Sequence, residues 1–125
     1  MKKTALIITD GAAGIQQTAE SIAAALDGFE VTIVPAGAFV GTRLLPADIV
    51  FFGAETADPP GFAYLYMVLQ HINLAGRPCG IFSGSVSALN YLRKMVHDSE
   101  LTLCPDFFQG KGDVKAWTEK VSGGT

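Results

Sequence analysis

The chain reads as an α/β protein: a three-layer sandwich built on a five-stranded parallel sheet. The strand order 2-1-3-4-5 is our choice among the orders such sheets adopt. Two observations predict the alternation of strands and helices. Short, unbroken apolar runs alternate with segments whose apolar residues recur about one helical turn apart. Each apolar run also ends in small or turn-forming residues, as a strand buried on both faces of a parallel sheet does before it feeds a helix. A length of 125 residues, 49% of them hydrophobic and 17% charged, suits one domain spanning residues 1–125 with a large buried share.

The elements follow in order. Ala5-Leu6-Ile7-Ile8 centres a first strand over about residues 4–9. Ile15, Ala19, Ile22 and Leu26 then mark a helix over about residues 15–26, which Asp27-Gly28 ends, the glycine suiting a left-handed cap. The β-branched run at 29–34 (FEVTIV) is a second strand. Residues 35–46 connect onward, with Phe39, Val40, Leu44 and Leu45 giving only a weak helical pattern. Residues 48–53 (DIVFFG) form the third strand, and residues 54–61 a loop with turn chemistry. Phe62, Leu65, Tyr66, Leu69 and Ile72 mark one face of the second helix. Residues 79–83 (CGIFS) form the fourth strand. Ser85 is placed to cap a third helix whose apolar face is Val86, Leu89, Leu92 and Val96. Residues 101–104 make a short fifth strand. Asp113 caps a last helix carrying Val114, Trp117 and Val121, and the tail at 122–125 is expected to fray.

Composition narrows the function classes. The net charge is only -3 and no Lys/Arg cluster stands out, which argues against nucleic-acid binding. Lys2 and Lys3 precede an apolar run too short for a signal-peptide core, and no segment is long enough to span a bilayer. A soluble, cytoplasmic protein without membrane partners is the expectation. Cys79 and Cys104 have no metal-ligand spacing and read as reduced core thiols. His71 and His97 form no pattern with a cysteine, serine or carboxylate that would make a catalytic centre, and no metal cluster is visible. A phosphorylated receiver domain would need an Asp at the end of the third strand, where this chain has Phe51-Phe52-Gly53.

Three stretches together resemble the flavodoxin family: ALIITDGAAGIQQTAESIAAALDGFEV, ADIVFFGAET and LAGRPCGIFSGS. The resemblance implies flavin mononucleotide (FMN) as cofactor, an electron carrier more than an enzyme with its own catalytic residues, and a redox partner protein. It places the phosphate at Thr9, Asp10, Gly11, Ala12, Ala13, Gly14, Ile15 and Gln16, after the first strand. The flavin ring would be flanked by Glu55, Thr56 and Ala57 on one side and Ser83, Gly84 and Ser85 on the other. Both the position and the chemistry are physically reasonable, because ligands of such sheets bind beyond the strand carboxyl ends, where helix amino ends favour anions.

The phosphate loop departs from the family's Ser/Thr-x-Thr-Gly-x-Thr pattern. Its hydroxyl positions hold Asp10, Ala12 and Ile15, and Ala13 stands where the family has glycine. Asp10 can instead be read as a cap for the first helix. The ring loops contain no aromatic residue; Tyr64, off the apolar stripe of its helix, is the candidate for exposed stacking, while Phe62 and Tyr66 read as core. Two readings therefore stand: an FMN-binding electron-transfer protein, or a degenerate module that binds no flavin and acts through protein–protein interaction.

Overall fold

The structure, a computed structural model, describes residues 3–39, 41–59 and 61–123. Five strands, β1 (Lys3–Thr9), β2 (Phe29–Pro35), β3 (Ile49–Gly53), β4 (Pro78–Phe82) and β5 (Thr102–Leu103), form one sheet in the order β2-β1-β3-β4-β5. All four neighbouring pairs are parallel, so the expected order and direction hold. Helices α1 (Ala13–Ala25), α2 (Phe62–His71), α3 (Val86–His97) and α4 (Val114–Gly123) connect the strands and close the chain.

Strand alternation explains the unbroken apolar runs. Successive side chains point to opposite faces. Leu6, Ile8, Val50, Phe52, Cys79 and Ile81 enter one core with α2 and α3. Ala5, Ile7, Ile49, Phe51 and Phe82 enter the other, with Ile15, Ala19 and Ile22 of α1 and Trp117 and Val121 of α4. A strand with a core on each side has no polar face to show.

Close packing dictates single residues. A Cβ at Gly53 would lie 2.2 Å from the ring of Phe82 on the neighbouring strand, so only glycine fits there. In the same core, Trp117 stacks on Phe108 with ring centroids 5.4 Å apart and tilts against Phe51 at 5.5 Å. Its indole N–H donates to the carbonyl of Asp106 at 2.9 Å. The expected packing of Trp117 and Val121 is thus realised, with Val114 half-buried beside them.

Several boundaries and faces differ from expectation. α1 starts two residues earlier, at Ala13, and Gly28 after it has φ +82, as its capping role requires. The connection at 35–46 forms two short 3-10 turns, Ala36–Ala38 and Gly41–Leu44. It is anchored by the Arg77 guanidinium, which donates to the carbonyls of Leu44, Leu45 and Ala47 at 2.7, 2.9 and 2.9 Å. Val86 is 69% exposed and not part of the apolar face of α3, because it occupies the first turn, beyond the edge of the core. Ala88 and Met95 are buried with Leu89, Leu92 and Val96 instead. β5 is only two residues long, yet the chain rejoins the sheet at Phe108, which bridges to Phe82. Cys79 is buried and Cys104 half-buried; both are free thiols, and burial pushes the Cys79 thiol far up. Ser122 and Gly123 complete α4. Val40, Pro60, Gly124 and Thr125, which figured in the expectations above, lie outside the described residues.

Candidate functional site

The carboxyl ends of β1, β3 and β4 meet three loops and two helix amino ends. At the end of β1, the hydroxyl of the fully buried Thr9 accepts from the N–H of Gly11 at 3.3 Å. Asp10 does not cap α1. One carboxylate oxygen accepts from the N–H of Ala12 at 3.0 Å, and the other accepts from the N–H of Glu55 at 2.7 Å, in the loop after β3. Asp10 therefore ties the two loops together. The N-cap position belongs to Ala12, which offers no side-chain acceptor. The first bond along the helix is donated by Gln16 to the carbonyl of Ala12 at 2.8 Å, so the N–H groups of Ala13, Gly14 and Ile15 point out of the helix end.

The loop after β4 is organised by its serines. Ser83 is buried, and its hydroxyl accepts from the N–H of Ser85 at 3.0 Å. Ser85 accepts from the N–H of Ala88 at 3.3 Å, the expected cap on α3, and its hydroxyl lies 3.0 Å from that of Ser87. The segment that follows β5 closes the third side. Phe108 donates to the carbonyl of Ile81 at 3.1 Å and accepts from the N–H of Ser83 at 2.9 Å, which carries Gln109 and Gly110 alongside Gly84.

These pieces enclose a cleft of about 510 Å³, lined by Gly14, Ile15, Thr18, Glu55, Phe82, Ser83, Gly84, Ser85, Gln109 and Gly110. Its size falls within the range of small-molecule sites. Of the residues singled out from the sequence, Gly14, Ile15, Glu55, Ser83, Gly84 and Ser85 line it. Thr9 is buried beneath it, Asp10 and Gly11 shape the loop, and Ala12 and Ala13 open the helix. Gln16, Thr56 and Ala57 are not part of the lining. Thr18, Phe82, Gln109 and Gly110 complete it. The last two come from the Gln-Gly-Lys-Gly run after Phe107-Phe108, whose glycines were a readable turn signal.

The aromatic residues do not make a wall for a ring. Phe82 is fully buried against Gly53. Tyr64 is exposed, but it stands over a different groove with Gly41, Leu45 and Met67, 6.0 Å from the ring of Phe39. Phe62 is core, as expected, and Tyr66 is half-buried, its hydroxyl donating to Asp98 at the far end of α3. Glu55 is the sole charged residue in the lining, and no group of three or more His, Cys, Asp or Glu among the described residues could hold a metal.

No protein-family sequence model matches the chain, and no curated protein matches it in sequence. Solved structures do. Oxidised Flavodoxin 2 from Bacillus cereus superposes with a TM-score of 0.80 at 16% identity, over 98% of this chain and 99% of the other. The chain has the flavodoxin-like fold. A flavodoxin from Streptococcus pneumoniae TIGR4 matches at 0.79 and 13%, over 98% and 99% of the two chains. A flavodoxin from the domain Archaea matches at 0.76 and 14%, over 97% of each.

Within this flavodoxin-like frame, the backbone half of a phosphate site is present: three outward N–H groups at the end of α1, worth about 0.3–1 kcal/mol through the helix dipole. Ala13 begins the helix and is not among the residues with left-handed backbone, so the loop does not need the family's glycine there. The side-chain half is missing. Each lost charge-assisted hydroxyl bond removes roughly 1.5–3 kcal/mol. Ile15, at one hydroxyl position, is 6% exposed and packs into the core. Asp10, at another, brings a carboxylate; two unit charges about 4 Å apart repel by about 4 kcal/mol at an effective dielectric near 20. The backbone N–H groups remain, but the side chains of this loop lack the hydroxyl donors that the family's pattern offers a phosphate, and Asp10 adds a carboxylate.

Proposed function

We propose that this protein is a flavodoxin-type electron-transfer protein that binds a flavin in the cleft and exchanges electrons with a partner protein. The observation that carries this reading is the cleft itself. It lies beyond the strand carboxyl ends, where ligands of such sheets bind. Its walls come from the first turns of α1, the β3–α2 and β4–α3 loops and the segment after β5 together. Small residues keep it open: a Cβ at Gly14 would meet nothing within 4 Å, and one at Gly84 would meet only the Gln109 carbonyl at 3.9 Å. The match to flavodoxins over nearly the whole chain supports the same reading.

A bound flavin supplies the redox chemistry, and the protein's part is to hold and screen it. The chain offers neutral hydrogen-bonding groups for holding it, namely the hydroxyls of Thr18, Ser83 and Ser85 and the Gln109 amide. Asp10 keeps the β1–α1 and β3–α2 loops at a set distance. The visible spectrum of the purified protein, followed by titration with flavins, tests the proposal. Flavin absorption bands that co-purify, or saturable quenching of flavin fluorescence, are expected. Absence of binding to every flavin tried would overturn it in favour of a flavin-free interaction module.

A further inference from the structure

We infer, on the flavin reading above, that the cleft selects an uncharged, hydroxyl-bearing flavin, riboflavin, over its phosphate ester FMN. The lining of the cleft carries one negative charge and no positive charge to offset it. Glu55 is the one charged residue of the lining. The Asp10 carboxylate lies directly behind it, bonded to the Glu55 N–H at 2.7 Å and to the Ala12 N–H at 3.0 Å. A phosphate placed on the outward N–H groups of α1 would therefore enter a cleft whose lining holds a carboxylate and no cation. Lys111, next in the chain after Gly110, is not part of this lining and instead lines a separate groove with Asp106 and Asp113.

Of the hydroxyls at the cleft, that of Thr18 donates to the Gly14 carbonyl at 3.1 Å, while those of Thr9, Ser83 and Ser85 accept from backbone N–H groups and keep a donor O–H of their own. Such hydroxyls can still exchange bonds with the neutral hydroxyls of a ribityl chain, which bring no charge to compensate. A dianion needs donors and counter-charge together, because burying an unpaired charge is costly. The same lining is thus adequate for the polyol and deficient for the phosphate.

Calorimetric titration of the purified full chain with riboflavin and, separately, with FMN tests the inference. Riboflavin is expected to bind at least about tenfold more tightly at low salt, with the gap narrowing as salt screens the carboxylates. Glu55→Gln and, separately, Asp10→Asn should each shift the riboflavin-to-FMN preference toward FMN. Glu55 is exposed, so its variant keeps the test intact even if Asp10→Asn loosens the loops. FMN binding as tightly as riboflavin or more tightly would overturn the selectivity while leaving the flavin reading standing. A riboflavin preference unmoved by salt and by both variants would overturn its electrostatic basis. Binding of neither flavin would overturn both the selectivity and the flavin reading.

Discussion

α1 and α3 both begin at the cleft, but they are finished differently. α3 is closed at both ends by side chains. Ser85 caps its amino end, and at its carboxyl end the Ser99 hydroxyl donates to the Val96 carbonyl at 2.6 Å, beside Asp98, which accepts from the Tyr66 hydroxyl and from the Lys94 ammonium at 3.1 Å. α1 has no side-chain cap, no acidic residue in its first turn and no basic residue in its last. Its stability must come from its buried face, Ile15, Ala19 and Ile22 against the cluster that holds Trp117. Two helices can thus occupy equivalent places at one ligand cleft while drawing on different forces. α3 adds local capping to its buried face, whereas α1 rests on its buried face alone and leaves its amino end open.

The largest expected effect probes the packing side of that contrast. Trp117→Ala should destabilise the protein by about 3–5 kcal/mol in a denaturant titration, since a buried indole and its ring contacts are lost. Amide exchange should then rise more in α1 than in α3, because Trp117 shares a core with α1. Equal exchange in both helices would break the comparison.

Capping gives a smaller and reciprocal pair of effects. Ser85→Ala should cost about 1 kcal/mol through the lost bond to Ala88, and Ala12→Ser should gain a similar amount by supplying the cap that α1 lacks. Ala12 already has the extended backbone that an N-cap residue needs, φ -64 and ψ 141. Thermal melts of the two variants check the signs. A stabilising Ala12→Ser would sharpen the view that the amino end of α1 has been left open.

The smallest expected effect lies at the far end of α3. The Tyr66 hydroxyl, first, and the Lys94 ammonium hold the Asp98 carboxyl at a pKa of about 2, below its ordinary value of 3.8. A pKa lowered on folding stabilises the folded state fully above the unfolded value, and that contribution disappears as the pH falls through the folded one. The wild-type protein should therefore lose stability between about pH 4 and pH 2, and Asp98→Asn should show a shallower loss over the same window. Denaturant midpoints at stepped pH values measure this. Because the group is exposed, a small amplitude is expected.

The amino-acid sequence by itself determined the layout of this protein. Its apolar runs and helical spacings are local signals that survive without knowledge of neighbours, and they place five strands, four helices and the Ser85 cap correctly; the strand order, chosen by fold type, also holds. They also place six of the ten lining residues, because loops after strands are named by where the strands end. What the tertiary structure decided is which partners these residues meet. Asp10 looked like a cap by its distance along the chain, but its second oxygen is taken by Glu55, 45 residues on. Val86 fitted a helical period but lies past the rim of the core. Gln109 and Gly110 reach the cleft only because Phe108 returns to the edge of β4 after a two-residue β5. Each of these depends on contacts between segments distant in sequence, which periodicity along the chain does not encode.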